Sequence, residues 1–202
     1  EYDKPLLQTF HDLKLQDEFR RILTAFYTVL KDADMYLQFI LITGVTKFAQ
    51  VGVFSTLNQL NDISLDEQYA ALCGLTSEEI ARTFEPELSA LAQREGLSFE
   101  DIMKKMAQMY DGYNFCEDEQ EGMFNPFSVL SALSKRRFGN FWFATGTPTF
   151  LVDMLKKTDY DLRNLEGIEV SAASLTDYRA DFRNPIPMLY QSGYLTIKGY
   201  NN

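Results

Sequence analysis

Two short polar segments contain side chains whose types and spacing suit chemistry. The chain opens on Glu1, and a positioned carboxylate can polarise a water molecule; taken alone, however, an acid at a chain end is ordinarily a frayed surface residue. The second segment follows an apolar run and contains Thr43, Thr46 and Lys47, with Gly44 letting the backbone turn closely. If the run is a strand of an open α/β sheet, these residues lie where such sheets bind ligands. The alternative is a strand cap and turn.

Three other groups have structural explanations. His11 is the single histidine, and no serine or cysteine nucleophile motif accompanies it, so we expect a surface or capping residue. The acidic run at 117–122 lacks the ligand spacing of a calcium loop and is typical of a solvated hairpin tip. Basic residues at 135–137 end a predicted helix, where the helix dipole favours cations. A phosphate-sensing arginine is the alternative there and at Arg179 or Arg183.

Composition limits the classes of function. The chain has 202 residues, 46% apolar and 24% charged, which is ordinary for a folded globular protein. A net charge of −10 opposes generic nucleic-acid binding, because that affinity depends on cations that displace phosphate counterions. The two cysteines indicate neither a disulfide framework nor a metal site, and no apolar run is long enough for a membrane helix. We therefore expect a cytoplasmic protein without membrane contact.

Hydrophobic periodicity predicts the elements that position the polar segments. Residues 17–31 have the pattern of an amphipathic helix. They lead into 36–43, which is apolar on both alternating faces, like a strand buried in a parallel sheet. A second helix around 54–60 and a short strand at 63–65 follow.

Helix-start signals dominate the rest of the chain. Thr76 with Glu79 and Ser98 with Asp101 have the spacing of a capping box, and Asn125 and Thr147 each precede a proline that can begin a helix. Near the carboxyl end the pattern predicts helices at 149–157 and 185–193 with strands around 168–171 and 194–200. Short strands around compact helices suggest a winged-helix-like module.

Six segments spread over the whole chain share a pattern with one known family. They are Glu-Tyr-Asp-Lys-Pro-Leu at 1–6, Phe-Ile-Leu-Ile-Thr-Gly-Val-Thr-Lys-Phe at 39–48, Tyr-Asp-Gly-Tyr-Asn-Phe at 110–115, Asn-Pro-Phe-Ser-Val-Leu at 125–130, Phe-Trp-Phe-Ala-Thr-Gly-Thr-Pro at 141–148 and Leu-Tyr-Gln-Ser-Gly-Tyr-Leu at 189–195. Together they resemble the predicted AAA-ATPase-like family of P-loop ATPases, which is common in Bacteroides-type bacteria. Its members carry a Walker A loop, a Walker B strand, a sensor strand and a helical and winged-helix-like region, often followed by a PD-(D/E)XK nuclease-like domain.

The resemblance implies roles for individual residues. Glu1 resembles the Walker B glutamate that positions the attacking water, and Thr43 resembles the polar sensor residue at the end of the strand between the two Walker strands. Thr46 and Lys47 would face the nucleotide beside it. ATP and Mg²⁺ are the implied cofactors of the longer protein. The Walker A loop and the Walker B aspartate are absent from this sequence, so we expect the chain alone to bind no cofactor and to be inactive.

We therefore predict a mainly α chain with minor β, in three parts: the end of a P-loop α/β ATPase core at 1–65, a helical lid with a hairpin at 66–140, and a winged-helix-like module at 141–202. It would act as a nucleotide-driven switch. The predicted partners are the missing N-terminal P-loop segment of the same protein and a second copy that pairs through strand 36–43. The alternative function is a noncatalytic protein- or nucleic-acid-interaction module with a vestigial nucleotide site, which the 14% aromatic content would suit.

Overall fold

Helices provide nearly all of the regular structure in the part of the chain that the computed structural model describes. That part comprises residues 2–9, 11–44, 53–54, 60–116, 122–142, 149–158, 160–176 and 184–201. The helices are α1 (Lys4–Gln8), α2 (Leu13–Asp32), α3 (Ser77–Thr83), α4 (Glu85–Glu95), α5 (Phe99–Tyr110), α6 (Pro126–Lys135), α7 (Thr149–Thr158), α8 (Ala172–Thr176) and α9 (Ile186–Gln191), with 3-10 turns at Asp34–Tyr36, Glu67–Tyr69 and Leu162–Asn164. The prediction of a mainly α chain is confirmed. None of the described helices combines the length and apolar character that a membrane crossing requires.

The chain forms two compact units. The first unit consists of residues 1–61 and 148–195, and the second unit consists of 62–147 and 196–202. The backbone therefore passes from one unit to the other after residues 61, 147 and 195. The three-part division at residues 65 and 140 stays a prediction.

The first unit contains two apolar clusters around α1. Leu7 packs with residues of α7 and α9, namely Leu151, Met154, Met188 and Leu189. Leu6, the preceding residue of the short helix, belongs to a second cluster with Val53 and with the partly buried Tyr2, Phe19, Leu23, Tyr27 and Phe54. Because α1 supplies a buried leucine to each cluster, the loop that precedes it is held at a defined place in the unit.

Local capping signals locate the helices of the second unit. Thr76 and Glu79 form a complete capping box at the start of α3, in which each side chain bonds the other residue's N–H. Ser98 Oγ accepts from Asp101 N–H (3.1 Å) at the start of α5, and Asn125 Oδ1 accepts from Ser128 N–H (2.8 Å) at the start of α6. All three predicted helix starts are confirmed, whereas Thr147 lies outside the described residues.

One core holds the second unit together. Ile80 of α3 packs with apolar residues of α4, α5 and α6 and with Phe124 and Phe141. The full set of buried residues is Ile80, Leu88, Leu91, Ala92, Ile102, Met106, Tyr110, Phe124, Val129, Ala132, Leu133 and Phe141. The predicted hairpin appears as isolated antiparallel bridges, Tyr113 with Met123 and Leu75 with Phe124. Its acidic tip at 117–121 lies outside the described residues.

The predicted buried strand at 36–43 is wrong for this chain. Residues 34–36 form a 3-10 turn, residues 37–44 contain no strand, and Phe39 is 80% and Leu41 53% exposed. A strand forms only when neighbouring strands bond its N–H and C=O groups. At the end of this segment Tyr2 N–H donates to Thr43 C=O (3.2 Å). The described residues contain no strand that could pair with the rest of it.

The other predicted strands are also not formed in the described residues. Residues 63–65 enter a turn in which Asp62 Oδ1 accepts from the N–H (3.1 Å) and the hydroxyl (2.7 Å) of Ser64. Residues 168–171 lead irregularly into α8, and 194–200 follow α9 without a strand partner. The helix predicted at 54–60 falls largely on residues 55–59, outside the described part.

Candidate functional site

The predicted site lies in the first unit, where the loop before α1 meets the segment that ends at Gly44. Tyr2 N–H donates to Thr43 C=O at 3.2 Å, and Thr43 itself is exposed. Glu1 directly precedes Tyr2 in sequence, whereas Thr46 and Lys47 follow Gly44. These three residues lie outside the described part of the chain, so their assignment stays a prediction. The described bond joins Tyr2, which follows Glu1 in sequence, to Thr43.

Gly44 packs so closely against the loop before α1 that no side chain fits. A β-carbon at this position would lie 2.6 Å from Cε1 of Tyr2 and 2.8 Å from Oδ1 of Asp3. Because nonbonded carbon atoms have their optimal separation at about 3.5–4.0 Å, a larger residue would force the side chains of Tyr2 and Asp3 to shift. Glycine at this position therefore lets these two side chains lie against the backbone.

Asp3 is a buried acid that sequence reasoning missed. Its residue surface is 0% exposed, which is rare for an aspartate. Asp3 occupies the N-cap of α1, and its C=O accepts from the N–H groups of Leu6 (3.0 Å) and Leu7 (2.9 Å), but its carboxylate makes no capping bond to the helix. The position of this acid just before Lys4-Pro5 predicts a helix cap. In the structure its side chain faces Gly44 instead.

Aromatic rings support the same loop from the other side. The ring of Tyr2 contacts Phe54 edge-on with centroids 4.8 Å apart, and Phe54 contacts Tyr27 of α2 at 5.0 Å. Burial raises the pKa of Tyr27, and the charge of Asp3 raises it further. The edge contacts of Tyr2 and Tyr27 with Phe54 thus link the loop before α1 to α2.

Two of the remaining candidate side chains, those of His11 and Lys135, have structural partners. His11 Nε2 lies 2.9 Å from Oδ2 of Asp153 at the surface of the first unit, where it links the loop before α2 to α7. In the second unit, α6 ends at Lys135, whose ammonium group lies 4.6 Å above the ring of Phe141 and whose C=O accepts from Arg94 Nη1 (3.2 Å). Arg179 and Arg183 lie outside the described residues. Within the described part, no group of His, Cys, Asp and Glu side chains is arranged to hold a metal ion.

The segment at 110–115 has an architectural role in the second unit. Tyr110 Oη both donates to Gly139 C=O and accepts from Gly139 N–H, each at 3.0 Å. Asn114 N–H donates to Thr196 Oγ1 at 2.7 Å, and its side-chain amide donates to Ile197 C=O at 2.8 Å. These bonds attach the loop after α6 and the carboxyl-terminal residues to the hairpin. They give Tyr110 and Asn114 of this segment a structural role.

Comparison with known proteins gives a partial family match. The family model described as "AAA-ATPase_like: Predicted AAA-ATPase" matches residues 1–54. The chain is 38% identical over 197 residues to "Uncharacterized protein in vnfD 5'region" of Azotobacter chroococcum mcd 1. That alignment covers 98% of this chain and 36% of the relative, so the chain spans little more than a third of the length of the curated relative it matches. No solved structure matches. The matched residues 1–54 include the four predicted site residues.

Proposed function

We propose that this chain is part of an ATP-binding and ATP-hydrolysing protein, with Glu1 as the residue that positions the attacking water. The observation that carries the proposal is the family match over residues 1–54. The backbone bond from Tyr2 to Thr43 supports it, because a Walker B glutamate and a sensor residue must lie on neighbouring segments to act on one phosphoryl group. The alternative assignment of Thr43 as a mere cap would not require the two segments to meet.

The residues of this chain supply one side of such a site. ATP and Mg²⁺, when bound, supply the phosphoryl group and the cation that neutralises its developing charge. The sequence contains no Gly-Lys-Ser/Thr loop to cradle phosphates, so this chain by itself does not fit the nucleotide. Its own contributions are the carboxylate of Glu1, which accepts a hydrogen bond from water and raises its nucleophilicity, and the hydroxyl of Thr43, which orients the same water or a phosphate oxygen. Thr46 and Lys47 would contact the nucleotide beyond the turn at Gly44.

We propose further that the intact protein acts as a nucleotide-driven switch. The predicted site residues belong to the first unit, whereas α3–α6 form a second unit with its own core. The backbone passes between the units after residues 61, 147 and 195, so a change at the nucleotide site has three covalent routes to the second unit. In the intact protein residues 66–140 would serve as the helical lid, and residues 141–202 as the winged-helix-like module.

An exposed apolar surface on the first unit supports a partner from the same polypeptide. Ile22, Phe26 and Val29 form one exposed stripe of α2, and the stretch after it exposes Met35, Tyr36, Phe39 and Leu41. Apolar patches of this kind are uncommon on monomers and mark interaction surfaces. The N-terminal P-loop segment is the partner we propose, because strands from that segment would give residues 37–43 the backbone partners that the described residues lack. Pairing with a second copy is the competing outcome.

Substitution of Glu1 in the full-length protein tests the ATPase proposal. Glu1→Gln should keep ATP affinity within about threefold and reduce kcat by about 10²- to 10⁴-fold, because a general base acts mainly on the transition state. Thr43→Val should reduce kcat less. Glu18→Gln on the exposed face of α2 is the matched control and should leave both quantities unchanged. Normal hydrolysis by Glu1→Gln would refute the assignment, and a full-length protein without ATP binding would favour the noncatalytic interaction module.

A further inference from the structure

The carboxyl-terminal ends of α4 and α6 have the same backbone geometry but different residues. After α4, Gly96 adopts the left-handed conformation (φ 69°), and the N–H of Leu97 donates to the C=O five residues earlier at 3.0 Å. After α6, Arg136 adopts this conformation (φ 50°), and the N–H of Arg137 donates to the C=O five residues earlier at 3.1 Å. Both ends have the bond of a Schellman motif, in which the left-handed residue is usually glycine and the next residue is often apolar.

Arginine is an unfavourable residue at the end of α6. In the left-handed conformation a β-carbon crowds the following carbonyl oxygen, so glycine adopts it at a lower cost. Among the described residues, Arg136 is the one non-glycine residue with a positive φ. The helix dipole favours a cation here, but Lys135 in the last turn already supplies one. The local structure therefore does not account for Arg136 and Arg137, and a residue held in a strained conformation points to a function.

Four cations meet at this end of α6 without a counter-charge. Arg94 Nη1 donates to Lys135 C=O at 3.2 Å, which brings the guanidinium group of α4 to the end of α6. None of the four forms an ion pair with a carboxylate in the described part of the chain. All four are exposed, and we call this group the cationic end of α6: Arg94, Lys135, Arg136 and Arg137. The rest of the sequence has 15 basic and 29 acidic residues, a net charge of −14, so this positive charge is local.

Two exposed apolar side chains lie on the same helix. Phe127 and Leu130 are each 47% exposed, and they are one turn apart on the face opposite the buried Val129 and Ala132. Leu130 is five residues before Lys135, which corresponds to a rise of about 7–8 Å along the helix axis. A ligand that covers this surface must therefore carry apolar groups close to its anionic groups.

We propose that the exposed face and the cationic end of α6 bind an acidic segment of another polypeptide, with carboxylates at the arginines and an apolar side chain against Phe127 and Leu130. The forked donors of arginine match a carboxylate, and a polypeptide can place aliphatic side chains beside it. A nucleic-acid backbone has no such side chains. A long polyanion or an anionic membrane would also extend beyond these cations over a surface that is otherwise acidic. The proposed interaction does not depend on the nucleotide site.

Binding of a labelled synthetic peptide to the full-length protein tests the proposal. The probe is a peptide of two leucines followed by four glutamates, and its fluorescence anisotropy should show binding that weakens as the salt concentration rises. Arg136→Gly combined with Arg137→Leu gives the end of α6 the residues that follow α4. This double variant should bind the peptide about 3- to 30-fold more weakly, and it should melt at or above the wild-type temperature because glycine relieves the left-handed strain.

Two further variants separate charge from position and contact. Arg82→Gln combined with Lys104→Gln removes the same net charge at exposed positions of α3 and α5, and it should keep the peptide affinity within about twofold. Leu130→Gln should weaken binding of the leucine-containing peptide and leave the affinity for an all-glutamate peptide of the same length unchanged. Equal weakening by both double variants would show that binding follows net charge alone, which would overturn the inference.

Other outcomes would also overturn it. They are the absence of peptide binding by the wild type, and a large fall in the melting temperature of the Arg136→Gly, Arg137→Leu variant, which would make the arginines structural. A single-stranded oligonucleotide that binds more tightly than the peptide and loses affinity in this variant would identify a nucleic-acid site instead. Self-association that the variant abolishes in light scattering would identify a second copy as the occupant. Arg94→Gln, which leaves the end of α6 intact, provides an independent check and should weaken peptide binding; an unchanged affinity would refute the shared site.

Discussion

Removal of one hydroxyl group at Tyr110 should measurably destabilise the second unit. Tyr110 is the last residue of α5, and its Oη exchanges two hydrogen bonds of 3.0 Å with the N–H and C=O of Gly139. Tyr110→Phe keeps the ring and its stacking on Phe138 (6.1 Å), so no cavity forms. The backbone groups of Gly139 lose these partners in a partly buried place, and we expect a loss of about 1–2 kcal/mol in the free energy of unfolding.

Urea unfolding followed by tryptophan fluorescence measures this loss. Trp142 is the single tryptophan and belongs to the second unit, so its signal reports on the same core. The urea midpoint should fall with an unchanged m-value. Tyr69→Phe, at a half-exposed residue of the same unit, is the control and should shift the free energy by less than about 0.5 kcal/mol. An unshifted midpoint for Tyr110→Phe would refute the hydrogen-bond argument.

The same substitution should change the response to alkali. Burial raises the pKa of Tyr110, although its hydrogen bond to Gly139 and the charge of Lys105 act in the opposite direction. Because the folded-state pKa exceeds the unfolded value of about 10, the unfolded state loses its proton first as the pH rises. The raised pKa of Tyr110 therefore adds to the free energy of unfolding of the wild type below about pH 10, and this addition is lost as the pH rises through the folded-state pKa. Tyr110→Phe should lose less stability over that range.

Three further predictions concern the helix starts, the nucleotide and the apolar surface. Asn125→Ala removes the cap of α6 and should lower the free energy of unfolding by about 0.5–2 kcal/mol in the same urea assay, whereas Gln108→Ala, at an exposed position inside α5, should not. Isothermal titration of this chain alone with Mg-ATP should show no micromolar binding, because the phosphate-cradling amides and lysine of a P-loop are not in the sequence; clear binding would refute this. Phe26→Ser with Phe39→Ser should reduce self-association of the isolated chain in light scattering, and equal masses for variant and wild type would show that this surface is not the contact.

The helix starts could be predicted from sequence because their causes are local. A capping box requires two residues three positions apart, and Thr76 with Glu79 supplies both bonds. The same holds for Ser98 and Asn125, whose side-chain oxygens each bond an N–H three residues on. No distant part of the chain has to be known for these predictions to succeed.

The strands could not be predicted in the same way, because their formation depends on partners far away in sequence. Residues 36–43 are apolar enough for a buried strand, yet no ladder forms in the described residues. At 63–65 a turn forms instead of a strand, because the Asp62 side chain accepts a hydrogen bond from the backbone N–H of Ser64. Asp3 shows a third limit: its position before Lys4-Pro5 suggests a cap, and only the fold reveals that Gly44 is its neighbour.

The stretch after α2 has an apolar sequence typical of a buried segment, yet several of its side chains are exposed. Phe39 is 80% and Phe26 is 64% exposed, whereas full burial of one such ring is favourable by about 1.5–3 kcal/mol. The same stretch ends at Thr43 and Gly44, which are held against Tyr2 and Asp3. If the P-loop segment that we propose as a partner paired with this stretch, it would cover the apolar residues and complete the predicted site of Glu1 at the carboxyl end of the stretch. A second copy of this chain would also cover the apolar residues, but its sequence contains no Gly-Lys-Ser/Thr loop to bind phosphate.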